Sequence, residues 1–229
     1  MQVVYEDNHI IIVNKQSGEI VQGDKTGDRP LSDIVKQYIK EKYQKPGEVF
    51  LGVVHRLDRP VAGLVVFART SKALTRLNKM FAESEVHKTY WAIIKSSKAG
   101  SGKFCDDGEW HTLENWLVRN EKQNKSYAYD REKPGSKKAI LKYRTIGHSD
   151  NYTLLEVNLM TGRHHQIRCQ LAAMGTPIKG DLKYGAPRSN PDGSISLMAR
   201  RVEFTHPVSK APISIEAPLP HDSLWQQFF

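Results

Sequence analysis

Apolar residues recur along the chain with two different periods, and each period predicts an element type. His9 to Asn14 reads His-Ile-Ile-Ile-Val-Asn, a β-branched run closed by Lys15 and a turn at Ser17-Gly18, which predicts a strand. From Pro30 to Tyr43, residues Leu31, Ile34, Val35, Tyr38 and Ile39 fall at helical spacing, with Asp28 just ahead and Pro30 suited to the first turn. Leu64 to Ala68 predicts another strand, followed by a helix carrying Leu74, Leu77 and Phe81 on one stripe, with Ser71 as its cap. Residues 89–94, 139–146, 152–159, 194–204 and 213–215 predict further strands. Residues 163–174 predict a helix closed by Gly175, with Ile167, Leu171 and Met174 in one arc and His164 and Arg168 on another face. Residues 97–102 and 124–138, rich in Gly, Ser, Lys and Asn, predict surface loops. No repeat, low-complexity tract or linker interrupts the succession. The pattern predicts an α+β fold, one mixed domain with a mostly antiparallel central sheet flanked by helices.

Composition narrows the partners. With 229 residues, 39% of them hydrophobic and 26% charged, the chain is long enough to bury a core and is not of disordered type. A net charge of +9 favours a polyanionic partner, nucleic acid first, because each phosphate neutralised by Lys or Arg releases counterions. No run approaches the ~20 apolar residues of a spanning helix, so no membrane partner is expected. The first residues, Met1 to Asp7, read as neither a basic leader nor an apolar signal core, and a cytoplasmic location is expected. Cys105 and Cys169 form no Cys-x-x-Cys pair, so neither a disulfide framework nor a zinc site is suggested. His164 and His165 are adjacent and are expected to point in different directions on a helix, so no metal is expected there. The Gly-x-Ser-x-Gly elbow and Gly-rich phosphate loops are absent, which removes serine hydrolases and nucleotide-binding folds.

Two segments concentrate chemistry. In His55-Arg56-Leu57-Asp58-Arg59-Pro60, followed by Gly63, one carboxylate stands among cations beside a strand. Such an Asp is either a catalytic group or half of an ordinary ion pair. In Thr161-Gly162-Arg163-His164-His165-Gln166-Ile167-Arg168, a strand hands over to a helix that Thr161 can cap. The free N–H groups of a first turn, with Arg163 and the histidines, can hold an anion there, or the segment is a capped helix with solvated cations. Trp91, Trp110, Trp116 and Tyr90 offer rings for base stacking or serve as sheet filler.

These two segments, with Lys88-Thr89-Tyr90-Trp91-Ala92 between them, resemble the ordered motifs of the RluA-type pseudouridine synthases. The resemblance extends from Glu6-Asp7 and Lys15 through Gly180-Asp181-Leu182-Lys183-Tyr184-Gly185 to Ala217-Pro218-Leu219-Pro220, almost the whole chain. It implies a pseudouridine synthase catalytic domain over residues 1–229, without a separate N-terminal RNA-binding domain. It further implies isomerisation of uridine in ribosomal or transfer RNA without cofactor or metal, and a monomer is the expectation for a chain of this size. Asp58 matches the nucleophile, which attacks either the sugar anomeric carbon or the uracil ring. Arg168 matches the arginine that pairs with this Asp, a contact that lowers a carboxylate pKa by ~1–3 units. Tyr90 matches the active-site tyrosine, whose ring packs on the uracil and whose hydroxyl suits proton transfer. His55, Arg163, His165 and Gln166 match RNA or substrate contacts, and Arg56 is placed to fill the gap left by an extruded base. The chain departs from the pattern at Val61-Ala62, where relatives commonly carry Thr-Ser, and at Gln170, where His is frequent; both put loop hydrogen bonding and substrate choice in question. Two other classes fit the charge: an RNA-binding protein on the same fold without turnover, and a basic structural protein of a ribosomal particle. The intact Asp58, Tyr90 and Arg168 argue against both.

Overall fold

The computed structural model describes residues 1–24, 26–96, 104–220 and 222–229. The segment 97–102, expected as a loop, lies outside them. The chain runs β1 (Gln2–Glu6), β2 (Ile10–Lys15), α1 (Leu31–Lys42), β3 (Gly52–Val53), β4 (Ala62–Ala68), α2 (Ser71–Ala82) and β5 (His87–Lys95). It continues through β6 (His111–Asn120), β7 (Lys125–Tyr129), β8 (Lys137–His148), β9 (Tyr152–Leu159), α3 (Gln166–Ala173), β10 (Leu197–Thr205), β11 (Pro212–Glu216) and α4 (Ser223–Gln226). Every strand pairing with a described register is antiparallel, and the fold is α+β. Two compact units form, residues 1–88 with 199–218 and residues 89–198 with 219–229.

In the first unit the strands lie in the order β1-β2-β4-β10, with β3 on β4 and β11 on β10. All six residues of β2 are buried, including Lys15, which has no exposed surface. An uninterrupted apolar run of this kind marks a strand covered on both faces. Pro30 is the N-cap of α1, not part of its first turn, and supplies no side-chain bond. The orphan N–H groups are met by the preceding chain instead: Leu31 N donates to Ile20 O at 2.7 Å and Ser32 N to Val21 O at 3.1 Å. Helix α2 is capped by Thr70, whose hydroxyl accepts from Ala73 N at 3.2 Å; Ser71, the expected cap, is the first helical residue. Thr70→Ala is therefore expected to lower stability by about 1 kcal/mol, read as a shift in the urea midpoint.

Gly63, the second residue of β4, has a φ of 115°, and a side chain there would collide with the backbone of Ala199. Backbone strain and overlap coincide, so Gly63→Ala is expected to cost on the order of 3 kcal/mol.

In the second unit the order is β5-β9-β8-β6-β7. Strand β9 covers the residues its pattern predicts. The loop expected over 124–138 is corrected in its first part, because Lys125–Tyr129 is β7, hairpin-paired with β6 and burying Ser126. Its Lys-Ser-Tyr-Ala-Tyr sequence carries no aliphatic β-branched residue, so periodicity is silent there. Helix α3 starts three residues later than expected, since His165 adopts a left-handed conformation at φ 53° and ends the preceding turn. Its residues from Gln166 to Leu171 are all buried, and Leu117, Ala139, Cys169 and Tyr184 form a shared core cluster. Trp91 stacks on Phe229 at 5.2 Å and Arg144 lies 4.7 Å from the Trp110 ring, so both indoles have partners within the unit.

Candidate active site

Asp58 begins a tight turn in the first unit, closed by Val61 N donating to Asp58 O at 3.0 Å. Leu57 and Val61 are buried on either side and anchor it, while the Asp58 side chain is half-buried. The next three carbonyls are gripped from the β2 end. Lys15 Nζ donates to Arg59 O at 3.1 Å and Val61 O at 2.6 Å, and to Gln16 O at 3.0 Å. Gly18 N donates to Arg59 O at 2.9 Å, and Ser17 Oγ to Pro60 O at 3.3 Å. The turn that carries Val61-Ala62 in place of hydroxyl residues thus receives a hydroxyl from Ser17. Burial pushes the Lys15 ammonium down to about 8, against the pull of the Glu19 and Asp58 carboxylates. A sequence reading treats a lysine at a strand end as solvated; its role here depends on carbonyls 44 and 46 residues away.

The cations flanking Asp58 have separate positions. Arg59 pairs with Asp28 at 2.6 Å and donates to Thr26 Oγ1 at 2.8 Å. Arg56 is exposed. His55 Nε2 accepts from Val66 N at 2.9 Å and its ring stacks on Phe81 at 4.8 Å, which ties the motif to β4. Burial, with the Lys88 charge adding, holds this imidazole down to about 3, so it is neutral at physiological pH. Lys15→Met removes the donor shared by three carbonyls and is expected to cost about 3 kcal/mol, measured by urea unfolding.

The other matched residues belong to the second unit. Tyr90 is buried on β5 opposite Val157 of β9. Arg168, also buried, grips one carboxylate with two bonds, Nε to Asp181 Oδ2 at 2.7 Å and Nη2 to Asp181 Oδ1 at 2.9 Å. The planar fork matches the carboxylate and sets the guanidinium direction. Sequence reasoning did not name Asp181 as that partner, although the Gly180 to Gly185 motif contains it. The Tyr184 ring lies 5.1 Å from the same guanidinium.

The turn before α3 differs from expectation in two ways. Thr161 does not cap the helix: its hydroxyl accepts from Ile140 N at 2.9 Å and donates to Gln166 Oε1 at 2.8 Å. Gln166 Oε1 also accepts from Arg163 N at 2.9 Å, and its Nε2 donates to Ile140 O at 3.0 Å, so one buried amide stitches the turn. Arg163 Nε donates to Lys138 O at 2.9 Å. In addition, His164 and His165 do not diverge on a helix; both precede it and their rings stack 3.8 Å apart. At Gln170, Nε2 donates to Asn115 Oδ1 at 2.9 Å and to the Leu113 and Ala139 carbonyls, joining α3 to β6 and β8.

The Tyr184 hydroxyl accepts from Ser126 N at 2.8 Å and lies within hydrogen-bond distance of His165 Nδ1, at 2.9 Å. Burial first, then the charges of Arg168 and His164, push this imidazole down to about 2. The folded value lies below the unfolded one, so the stabilisation is present above about pH 6.5 and is lost on acidification. Between pH 6.5 and 5 this group's share of the loss is on the order of 2 kcal/mol and His55, held down likewise, adds a similar share, so His165→Gln should roughly halve this part of the pH–stability slope.

Among the described residues, no group of three or more His, Cys, Asp or Glu is arranged to hold a metal ion, and no helix is long and apolar enough to cross a membrane. Comparison with known proteins bears on the same residues. A family model described as RNA pseudouridylate synthase matches residues 9–173, which contain the Asp58 turn, Tyr90 and Arg168. The ribosomal large subunit pseudouridine synthase D of Xylella fastidiosa is 30% identical over 235 residues, covering 97% of this chain and 67% of that protein. The tRNA pseudouridine synthase C of Pectobacterium carotovorum is 27% identical over 244 residues, covering 99% of this chain and 60% of that protein. The solved structure of human RNA pseudouridylate synthase domain containing 4 has the same fold, with a TM-score of 0.76 at 21% identity over 98% of this chain and 90% of that one. With its motifs, its fold and most of its length in agreement, the chain belongs to the RNA pseudouridylate synthase family.

Proposed function

We propose that the chain converts particular uridines of ribosomal or transfer RNA to pseudouridine, with the Asp58 carboxylate as nucleophile. The observation that carries this reading is the clamped Asp58 turn, which sets a carboxylate on a firmly held backbone inside the segment that matches the family model. The named relatives act on large-subunit ribosomal RNA and on tRNA, and the net charge of +9 suits either. Asp58 attacks the nucleotide at the anomeric carbon or the uracil ring, the base–ribose N-glycosidic bond breaks, the base turns within the site and rejoins ribose through carbon, and the bond to Asp58 breaks to release the carboxylate. A proton leaves that carbon and one returns to the ring nitrogen set free. Atoms and electrons balance, so the step calls for no external cofactor. Covalent attachment divides one hard exchange into two easier ones and retains the loosened base.

Arg168, oriented by Asp181, serves to keep the nucleophile ionised. The Tyr90 ring packs on the uracil, and its hydroxyl handles the proton. Arg56 occupies the gap left by the extruded base, while His55, Arg163, His165 and Gln166 shape the surface the RNA meets. The chain acts as a monomer in the cytoplasm, a reducing compartment compatible with the free thiols of Cys105 and Cys169. Incubation with unmodified large-subunit ribosomal RNA and tRNA transcripts tests the proposal. Pseudouridine at one or a few positions is expected; tight binding without conversion would assign the chain to the non-catalytic RNA binders.

A further inference from the structure

A cleft of about 740 Å³ opens in the second unit, between the end of β5, the start of β9 and the segments 175–180 and 186–189. Its described lining includes Lys95, Lys179 and Arg188 and contains no carboxylate. Asp58, Tyr90 and Arg168 are not among these residues. Lys95 and Arg188 are exposed and Lys179 is half-buried, and three positive charges around one concave wall focus a positive potential.

One lining cation, Lys179, is held in place. The Lys179 backbone is pinned on both sides, its N donating to Ile93 O and its O accepting from Ser196 N, each at 2.9 Å. Lys179 Nζ donates to Asn190 Oδ1 at 2.6 Å and lies 5.8 Å from the Tyr152 ring. Asn190 is buried and in turn donates to Ser194 Oγ at 3.1 Å and Ser196 Oγ at 3.2 Å. A side chain at Gly180 would strike the Asn190 amide, so glycine permits this approach. The Asp192 carboxylate accepts from Ser194 N and Oγ at 3.0 and 2.6 Å, bonds that hold it below the usual carboxylate range, with the Lys179 charge a smaller cause. Ser96, Asn151 and Thr176 add neutral hydrogen-bonding groups to the wall.

We propose that this cleft is an auxiliary RNA-backbone site, in which Lys95, Lys179 and Arg188 hold phosphodiester groups of the substrate RNA and add affinity without taking part in the chemistry. The proposal rests on the RNA-modifying reading above, and its test separates the two. The probes are a labelled 20-residue poly(A) RNA, which contains no uridine to isomerise, and an unmodified transcript carrying a target uridine. The variant Lys95→Ala/Arg188→Ala, which leaves the Lys179 network intact, is compared with the charge-matched Lys45→Ala/Lys72→Ala and with Lys179→Met. The cleft double variant should bind poly(A) about tenfold more weakly at about 0.1 M salt, with its log–log salt slope reduced by about 1.4, two single-strand phosphates' worth. On the transcript KM should rise about as much while kcat is unchanged. The Lys45→Ala/Lys72→Ala control should keep nearly the wild-type slope, and Lys179→Met should weaken binding like the double variant. Equal slopes for the cleft and control variants would overturn the site, as would equally strong competition by polyglutamate. Loss of poly(A) affinity in a chain that converts no uridine would uphold the cleft and reject the enzymatic reading.

Discussion

Replacing Asp58 by Asn is expected to lower pseudouridine formation by at least about a thousandfold while the protein stays folded. The amide keeps the size of the carboxylate and removes its charge and nucleophilicity. The turn itself is held through backbone carbonyls of Arg59, Pro60 and Val61, which Lys15, Ser17 and Gly18 grip, and none of these bonds uses the Asp58 side chain. Single-turnover conversion measured beside thermal unfolding checks both halves. Full activity in Asp58→Asn would remove the nucleophile assignment, and a collapse of the melting temperature would show that the carboxylate holds the turn.

Arg168→Met is expected to cost about 3–5 kcal/mol, because it leaves the Asp181 carboxylate, 1% exposed, without its two-bonded partner. Asp181→Leu takes the two-bonded carboxylate from the guanidinium and should cost a similar amount. The double variant Arg168→Met/Asp181→Leu carries neither buried charge and should recover more than half of that loss, since apolar replacement of a buried pair is often near neutral. Activity should not return with stability, because the cation assigned to keep Asp58 ionised is still missing. Urea unfolding of the three variants reads the coupling energy. A double variant no more stable than either single one would mean that Arg168 matters to the fold through partners other than Asp181.

Legibility in the sequence followed the kind of interaction involved. Strands β2, β4 and β9 announce themselves because branched apolar runs have few other uses. Strand β7 does not, since its stability comes from pairing with β6 and from Ser126 contacting His164. Thr70 and Ser71 are equivalent caps on paper, and only the chain path shows which hydroxyl faces Ala73 N. The start of α3 was misplaced because nothing local marks His165 as left-handed; that conformation accompanies the Tyr184 and Gln166 contacts.

The site divides in the same way. Asp58 stands out as a carboxylate among cations, and the motif order points to Tyr90 and Arg168. Their supports are distant in sequence: Lys15 lies 44 residues before Arg59, Asp28 pairs with Arg59 from 31 residues away, and Asp181 meets Arg168 from 13 residues on. Contacts of that kind leave no periodic trace. The motif containing Asp181 was visible as a turn, but its charge gave no indication of which cation it would hold.

Pseudouridine mapping across the RNA of cells that lack the gene, complemented with the wild-type chain or with Asp58→Asn, tests the central assignment most directly. One or a few uridines in ribosomal or transfer RNA should be unmodified in the deletion, regain pseudouridine with the wild type and stay uridine with Asp58→Asn at equal protein level. An unchanged map in the deletion strain, or full restoration by Asp58→Asn, would contradict it.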